Sequence, residues 1–175
     1  MTSRPCDGEF APYYLRYISL VTESDILLAL KDQSAELTRL MVRVPQEREV
    51  FCYAPGKWSV REVLGHMIDG ERVFGYRAFC ISRGESASLP LFDENRYVAE
   101  SDYRNRSVIE LMEEFTLIRR SNLLFLSRLG EEGWKRMGIA SDKPVSVRAL
   151  AFIMVGHVRH HVNGLRLSYG LFAGA

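Results

Sequence analysis

The amino-acid sequence predicts an all-α protein: a four-helix bundle with up-down-down-up topology and a long connection between its second and third helices. Four long segments repeat apolar residues at the three- and four-residue spacing of an amphipathic helix. Two of these segments open with a capping box, and no segment predicts a convincing strand. The 175 residues suffice for one domain of ordinary size, which we expect to span residues 1–175.

The first two predicted helices lie in the N-terminal half of the chain. The first runs roughly from Ser24 to Val44, where a proline follows and stops it. Tyrosines at positions 13, 14 and 17 predict a short extra turn or helix that packs on the bundle. The second helix opens with Ser59 at its N-cap and Glu62 at its third position, which together form a capping box. We expect this helix to end near Ser82, before a glycine.

The third and fourth predicted helices follow a long connection. Another capping box starts the third helix at Ser107, and we expect it to end near Leu129, which a glycine follows. The fourth runs from about Ser146 to Tyr169. The link from Arg83 to Arg106 has about 23 residues and can reach about 75 Å, against about 36 Å for a helix of 24 residues. The third helix can therefore start at the far end of the bundle and run parallel to the second.

Composition and charge favour a soluble cytoplasmic protein that binds neither nucleic acid nor membranes. The formal net charge is +1, with no basic block, which argues against a nucleic-acid interface. The three cysteines, Cys6, Cys52 and Cys80, are odd in number and far apart, as in a reduced compartment. The N-terminal residues contain no apolar stretch of the kind that a secretion signal needs, so we do not expect secretion. The longest apolar stretch, residues 149–155, is too short to span a bilayer.

Three of the four histidines lie where a metal site requires them. His157 and His161 are four residues apart in the predicted fourth helix, so their imidazoles leave the same helix face about one turn apart. This spacing lets one helix offer two nitrogens to a divalent ion. His66, in the second helix, can supply a third ligand. Three protein ligands leave one coordination position open, as in catalytic metal sites.

The helical periodicity ranks the histidines and leaves alternatives open. On a helical wheel His161 lies near the middle of the apolar face, His157 on its shoulder, and His160 points away. His66 lies at the edge of an apolar stripe, at a depth similar to that of His161 if the two helices are antiparallel. Each histidine can instead be a core residue bonded to a serine or a carbonyl. Glu62, one turn before His66, can orient it, act as a base, or only cap the helix.

Charged residues near the predicted core have a structural explanation. Glu71 falls within the apolar stripe of the second helix, where it can be a buried partner of Arg119 or Arg120 or lie behind the metal ligands. The charged pairs at 113–114 and 119–120 predict a solvated face of the third helix.

Three segments resemble the DinB-like (YfiT-type) superfamily of metal-binding four-helix bundles. They are residues 55–66 (PGKWSVREVLGH), 89–95 (LPLFDEN) and 156–161 (GHVRHH). The resemblance implies a bundle in which His66, His157 and His161 bind a divalent metal ion, with zinc, nickel and iron all compatible with imidazole ligands. It also implies a homodimer. Some members are thiol-dependent transferases that use a low-molecular-weight thiol, and others resemble metal-dependent hydrolases.

These observations lead to one main functional hypothesis and two alternatives. The main hypothesis is a metal-dependent thiol S-transferase or hydrolase that acts on a small molecule, possesses a three-histidine site, and has its pocket near Phe92 to Tyr97. No general base is assigned, and Glu62 is the one candidate. The first alternative is a non-catalytic metal-containing module for ligand binding or stress response. The second, a purely structural metal site, is disfavoured because structural zinc sites usually have four protein ligands.

Overall fold

The computed structural model describes residues 3–172 and is mainly helical. Four helices are long and correspond to the four predicted ones: α2 (Ile26–Met41), α3 (Val60–Ser82), α5 (Val108–Leu126) and α7 (Val147–Leu167). The shorter elements are α1 (Leu15–Ile18), α4 (Glu94–Ala99), α6 (Glu131–Lys135), β1 (Met137–Ala140) and β2 (Lys143–Ser146). Single 3₁₀ turns occupy Pro12–Tyr14, Gln46–Arg48 and Tyr103–Asn105. The single domain 1–175 stays a prediction, and its terminal residues 1–2 and 173–175 lie outside the described range.

Side-chain caps begin three of the long helices at the predicted residues. The Ser59 N–H donates to the Glu62 carboxylate at 2.7 Å, and the Glu62 N–H donates back to the Ser59 hydroxyl. Ser107 and Glu110 form the same reciprocal pair at the start of α5. The Ser146 hydroxyl accepts from a backbone N–H in the first turn of α7. These bonds satisfy N–H groups that a helix leaves unpaired, which explains why a local sequence pattern predicted the boundaries.

The four long helices pack into a bundle around two clusters of buried apolar residues. Helix α3 packs most extensively against α7 and α5, and α2 packs against the same two helices. The first cluster joins α1, the start of α2, the end of α3 and the first half of α7. The second joins the end of α2, the start of α3, the start of α5 and the end of α7. Residues 3–172 contain no helix with the length and apolar character needed to cross a lipid bilayer.

A buried ion pair links α3, α5 and α2 at the centre of the bundle. Arg119 and Glu71 pair at 2.6 Å with side chains only 1% exposed. The Arg119 guanidinium also donates to the Leu30 carbonyl at 2.9 Å and to the Gln33 side-chain oxygen at 3.1 Å. The predicted pairing of Glu71 with Arg119 or Arg120 is confirmed for Arg119. The prediction that Arg119 lies on a solvated face is wrong, because α2 covers it and supplies two further acceptors.

The prediction of an all-α fold without strands is wrong for one segment. Strands β1 and β2 form an antiparallel hairpin, joined by Ser141 and Asp142 with φ of 52° and 57°, as two-residue hairpin turns of type I′ require. Strands of four residues are short, and Gly138 and Pro144 interrupt any alternating pattern. The hairpin also pairs with the main chain of Leu89. It therefore fixes the position of the long connection between α3 and α5.

A buried arginine joins the hairpin to this connection. Arg77, on α3, is 2% exposed. Its Nη2 donates to the Pro90 carbonyl at 2.6 Å and to the Ser141 hydroxyl at 2.9 Å. The connection that the sequence predicted as a long loop thus contains a short helix, α4, and a 3₁₀ turn. It is bonded to α3 at Pro90 and to the hairpin at Leu89.

Candidate metal centre

The structure brings His66, His157 and His161 together between α3 and α7. One nitrogen from each ring lies within 4.8 Å of the other two. The Nε2 atoms of His66 and His157 are 2.9 Å apart, and the three ring centroids are separated by 4.6–4.8 Å. These separations are close enough for one ion to contact all three rings after small side-chain rotations. The three residues that the sequence pattern selected therefore form one cluster.

Two glycines allow the close packing that positions His157. Gly70 faces His157 across the helix interface, and a Cβ at Gly70 would lie 2.7 Å from the His157 Cε1. Gly156 lies directly under the main chain of Tyr17, where a Cβ would collide with the Tyr17 carbonyl oxygen. Because both positions lack a side chain, α1 packs on α7 and the Tyr17 ring meets the His157 ring edge-on at 5.4 Å.

The order of burial among the histidines differs from the helical wheel. His157 is 3% exposed because Tyr17 and the Phe74 ring, 5.5 Å away, cover it from two sides. His161, which the wheel put nearer the middle of the apolar face, is only partly buried. The wheel considers one helix alone, whereas α1 covers the shoulder on which His157 lies. His160 is exposed, as expected, and packs edge-on against Tyr17 at 5.3 Å.

Burial keeps all three clustered imidazoles neutral near pH 7. Desolvation lowers the pKa of His66 to about 4, with a smaller contribution from His160. Desolvation also lowers the pKa of His157 and His161 well below the usual histidine range, and the neighbouring histidines add to the effect. A neutral imidazole has one nitrogen lone pair free, which is the form that binds a metal ion.

Unpartnered nitrogens test whether the cluster fits a metal ion. His161 Nε2 and His66 Nδ1 are buried and have no hydrogen-bond partner among residues 3–172. A buried polar atom without a partner is destabilising. The serine or carbonyl partners that a purely structural role requires are therefore missing at these atoms. An ion shared by the three rings supplies the missing partner of His161, so the residues fit a metal.

A cavity of about 430 Å³ opens over the three histidines. Residues 11–17, residues 91–94 and the turn of the hairpin supply most of its walls. Phe92, at the start of the predicted pocket segment, lies in the wall with its ring stacked 5.8 Å from His66. Tyr97 lies behind Phe92 and lines a different hollow. A second cavity, of about 310 Å³, reaches His161 from the side of residues 53–58.

Glu62 is held in the helix cap. Its carboxylate accepts from the Ser59 N–H and hydroxyl and pairs with Arg104 at 2.9 Å. Burial alone would raise the pKa of Glu62, but the hydrogen bonds from Ser59 and Arg104 lower it overall. Glu62 lines neither cavity that reaches the histidines. The structure therefore explains Glu62 through capping.

Several residues around the histidines were absent from the predicted site. Tyr17 and Phe74 cover His157, and Arg16 and Lys143 lie in the cavity wall. Trp58 lies with its ring 4.8 Å from the His66 ring. The sequence offered a signal for Trp58, because it lies in the motif of residues 55–66 that carries the family resemblance. The others reach the site only through tertiary contacts.

Comparison with known proteins supports the fold and the family. The model of the DinB superfamily matches residues 29–164. YfiT from Bacillus subtilis, a probable metal-dependent hydrolase with an unusual four-helix bundle topology, aligns at TM-score 0.73 and 17% identity over 98% of this chain and 96% of its own. A mycothiol-dependent maleylpyruvate isomerase aligns at TM-score 0.66 and 12% identity, over 89% of this chain and 64% of its own. No curated protein sequence matches. At these identities the structural likeness establishes the fold alone, but the family model covers most of the sequence, and the chain belongs to the DinB superfamily.

Proposed function

We propose that this protein binds one divalent metal ion through His66, His157 and His161 and is a metal-dependent enzyme of thiol S-transferase or hydrolase type. The observation that carries the proposal is a cluster of three neutral imidazoles, one with a buried unpartnered Nε2, at the floor of a 430 Å³ cavity. Imidazole ligands suit zinc, nickel and iron alike. A bound divalent ion supplies Lewis acidity, which favours ionisation of a thiol or a water molecule near neutral pH.

The residues of the chain hold and shield this centre. His66 and His157 are buried on the bundle side, whereas His161 faces both cavities. The rings of Trp58 and Phe92 flank His66 at 4.8 and 5.8 Å. Apolar walls exclude water and strengthen electrostatic interactions with a bound substrate. An ion held by these three residues would therefore lie beside the cavities, within reach of a small molecule bound there.

The predicted up-down-down-up order of helix directions is part of this proposal. The Tyr169 hydroxyl, just after α7, donates to the Trp58 carbonyl, just before α3, at 2.6 Å. That contact supports antiparallel α3 and α7, with His66 and His161 at matching depths. Earlier residues of α3 contact earlier residues of α5, as Arg72 does with Glu114, and later residues contact later ones, as Phe79 does with Phe125. They support a parallel pair joined by the long connection.

The presence of two cavities favours chemistry with two reactants. The 430 Å³ and 310 Å³ cavities share His161 and Trp58 but otherwise have different walls. A thiol could occupy one cavity and an electrophile the other, both next to His161. One solved structure with this fold is a thiol-dependent enzyme, and another is a probable metal-dependent hydrolase. A low-molecular-weight thiol is accordingly the first co-substrate to test.

Metal binding is tested with histidine variants. Purified protein is stripped with a chelator, reconstituted separately with zinc, nickel and iron(II), and examined by elemental analysis and calorimetry. We expect one ion per chain in the wild type and in His160→Gln, and an affinity at least about 100-fold weaker in His161→Gln because one of three ligands is lost. A wild-type protein that retains no stoichiometric metal would refute the proposal.

Turnover is tested with the reconstituted protein. Aryl halides and activated alkenes are incubated with low-molecular-weight thiols, and nitrophenyl esters with water alone, each with and without chelator. Chelator-sensitive conjugation supports the transferase, and chelator-sensitive ester cleavage supports the hydrolase. Turnover that persists in chelator contradicts both. Stoichiometric metal without turnover supports the non-catalytic ligand-binding or stress-response module. The predicted homodimer and cytoplasmic location remain separate proposals, to be tested by light scattering and fractionation.

A further inference from the structure

We propose that Arg16 and Lys143 form an oxyanion subsite in the 430 Å³ cavity, so that the substrate is a small, largely apolar molecule bearing one carboxylate or phosphate group. Both residues line this cavity together with the three histidines. The inference rests on the proposed function in one respect, namely that the substrate occupies the cavity over the metal ligands. Its test is independent of metal binding.

Arg16 is held in position without being neutralised. Its guanidinium lies over the Tyr13 ring, with Cζ 3.8 Å from the centroid, and near the Tyr17 ring at 4.7 Å. Nη2 donates to the Tyr13 hydroxyl and to the Tyr17 hydroxyl. Burial raises the pKa of Tyr17, so this hydroxyl stays neutral. Because both bonds leave from Nη2, the hydrogens of Nε and Nη1 are available to a ligand oxyanion.

The guanidinium lies within reach of the metal centre. The Tyr17 ring contacts both groups, since its centroid is 5.4 Å from the His157 ring and 4.7 Å from the Arg16 Cζ. Arg16 and the histidine cluster are therefore at most about 10 Å apart. A small molecule can span that distance, with its anionic group at Arg16 and its reacting atom at the histidines.

Lys143 supplies a second cation from another segment of the same cavity wall. It follows the hairpin turn, where the neighbouring carboxylate of Asp142 accepts from the Ser88 hydroxyl at 2.9 Å. Within the described residues 3–172, neither Lys143 nor Arg16 forms an ion pair. The buried Arg77 holds this turn through the Ser141 hydroxyl and adds a further positive charge behind it.

The charge and shape of the cavity define the ligand class. Glu94 is the single acidic residue in the wall, against the cations Arg16 and Lys143. A cleft with excess charge of one sign concentrates ligands of the opposite sign. The rest of the wall is mainly aromatic, including Phe74 and Phe92. Its volume lies in the range of small-molecule sites, so an aromatic or extended apolar body with one oxyanion suits it.

The test compares matched probes rather than an unidentified substrate. Benzoate, phenyl phosphate and neutral benzyl alcohol are titrated into metal-free and zinc-loaded protein by ligand-observed NMR. We expect both anions, or one of them, to bind metal-free wild type at least about tenfold more tightly than benzyl alcohol. The preferred anion identifies carboxylate or phosphate as the natural group. An anion preference that exists only with zinc would overturn the proposal, because the ion alone would then hold the oxyanion.

Charge variants separate the subsite from general electrostatics. Arg16→Gln and Lys143→Gln should each weaken anion binding about tenfold and leave benzyl alcohol unaffected. Arg120→Gln and Lys31→Gln remove the same charges at exposed helix positions outside every described cavity and should change anion binding less than about twofold. Equal losses in all four variants would contradict a local subsite.

Two further measurements keep the outcome interpretable. Arg16→Lys retains the positive charge and should preserve part of the anion preference that Arg16→Gln loses. Zinc stoichiometry and the circular dichroism spectrum should match the wild type in every variant. A wild type that binds no zinc but prefers anions refutes the proposed function and supports the subsite. A wild type that binds zinc but shows no anion preference supports the proposed metal site and refutes the subsite.

Discussion

Gly70→Ala should weaken metal binding while the protein stays folded. An added Cβ would lie 2.7 Å from the His157 Cε1 and 2.9 Å from its Nδ1. Ordinary carbon contacts begin at 3.4 Å, so the ring must move by about 0.7 Å. His157 has no open space to move into, because it is 3% exposed and covered by Tyr17 and Phe74. The His157 ring should therefore shift relative to the His66 and His161 rings.

The expected magnitudes follow from two opposing effects. Overpacking a core site destabilises by about 1–3 kcal/mol, whereas alanine gains about 1 kcal/mol over glycine inside a helix. The free energy of unfolding should thus fall by about 0–2 kcal/mol. Displacing one ligand by a fraction of an ångström should weaken zinc binding on the order of 10–100-fold, the scale seen when the groups that orient metal ligands are altered.

Zinc affinity is measured by competition with a chromophoric chelator, and stability by urea unfolding of the metal-free protein. Gly164→Ala is the matched control, because it lies in α7 near the ligands and its added Cβ meets no atom within 4 Å. The control should gain up to about 1 kcal/mol of stability and keep its zinc affinity. If folded Gly70→Ala binds zinc as tightly as this control, then the close approach of Gly70 does not position His157.

Three further predictions concern charge and capping. In metal-free protein the free energy of unfolding should fall by at least about 3 kcal/mol as pH drops from 6.5 to 4, because unfolded His66 takes up a proton near 6.5 and the folded residue only near 4. The lowered pKa values of His157 and His161 add to this fall, and a flat urea-unfolding profile over this range would contradict the burial of the three rings in neutral form. Arg119→Met should lower the free energy of unfolding by about 3–5 kcal/mol in urea, since it leaves Glu71 charged and buried without its partner. Adding Glu71→Met should restore part of that free energy, and a double variant no more stable than Arg119→Met would argue against the pair. Glu62→Gln should lower the free energy of unfolding by about 1 kcal/mol through loss of the helix cap and leave zinc affinity unchanged. A large loss of zinc binding would instead support a role for Glu62 in orienting His66.

Local sequence patterns predicted the parts of the fold that depend on local interactions. The capping boxes at Ser59 and Ser107 marked helix starts because their hydrogen bonds join residues three apart. The spacing of His157 and His161 predicted a shared helix face for the same reason. The burial of Glu71 followed from its place in an apolar stripe. Its partner did not, because choosing Arg119 over Arg120 depends on where α2 lies against α5.

Tertiary contacts produced the features that these patterns missed. The hairpin of β1 and β2 forms from strands of four residues whose pairing is completed by Leu89, about 50 residues earlier in the sequence. His157 is more buried than His161 because α1 crosses α7 at Gly156. A wheel drawn for one helix cannot contain either contact. The same limit applies to the cavity, because three separate segments supply most of its walls and helices α3 and α7 supply the rest.

The proposed metal ligands and the walls of the cavity over them therefore depend on different kinds of structure. The three imidazoles leave two long helices whose packing is fixed by the core, so their clustering is insensitive to loop sequence. Arg16 and Lys143 instead lie on α1, which packs on α7 at Gly156, and on the hairpin, which Arg77 bonds to α3. Changes in the hairpin attachment would alter the charge facing the proposed metal site without changing the helix packing that brings the three histidines together. The proposed anion preference of the cavity should accordingly vary more readily than the proposed metal binding.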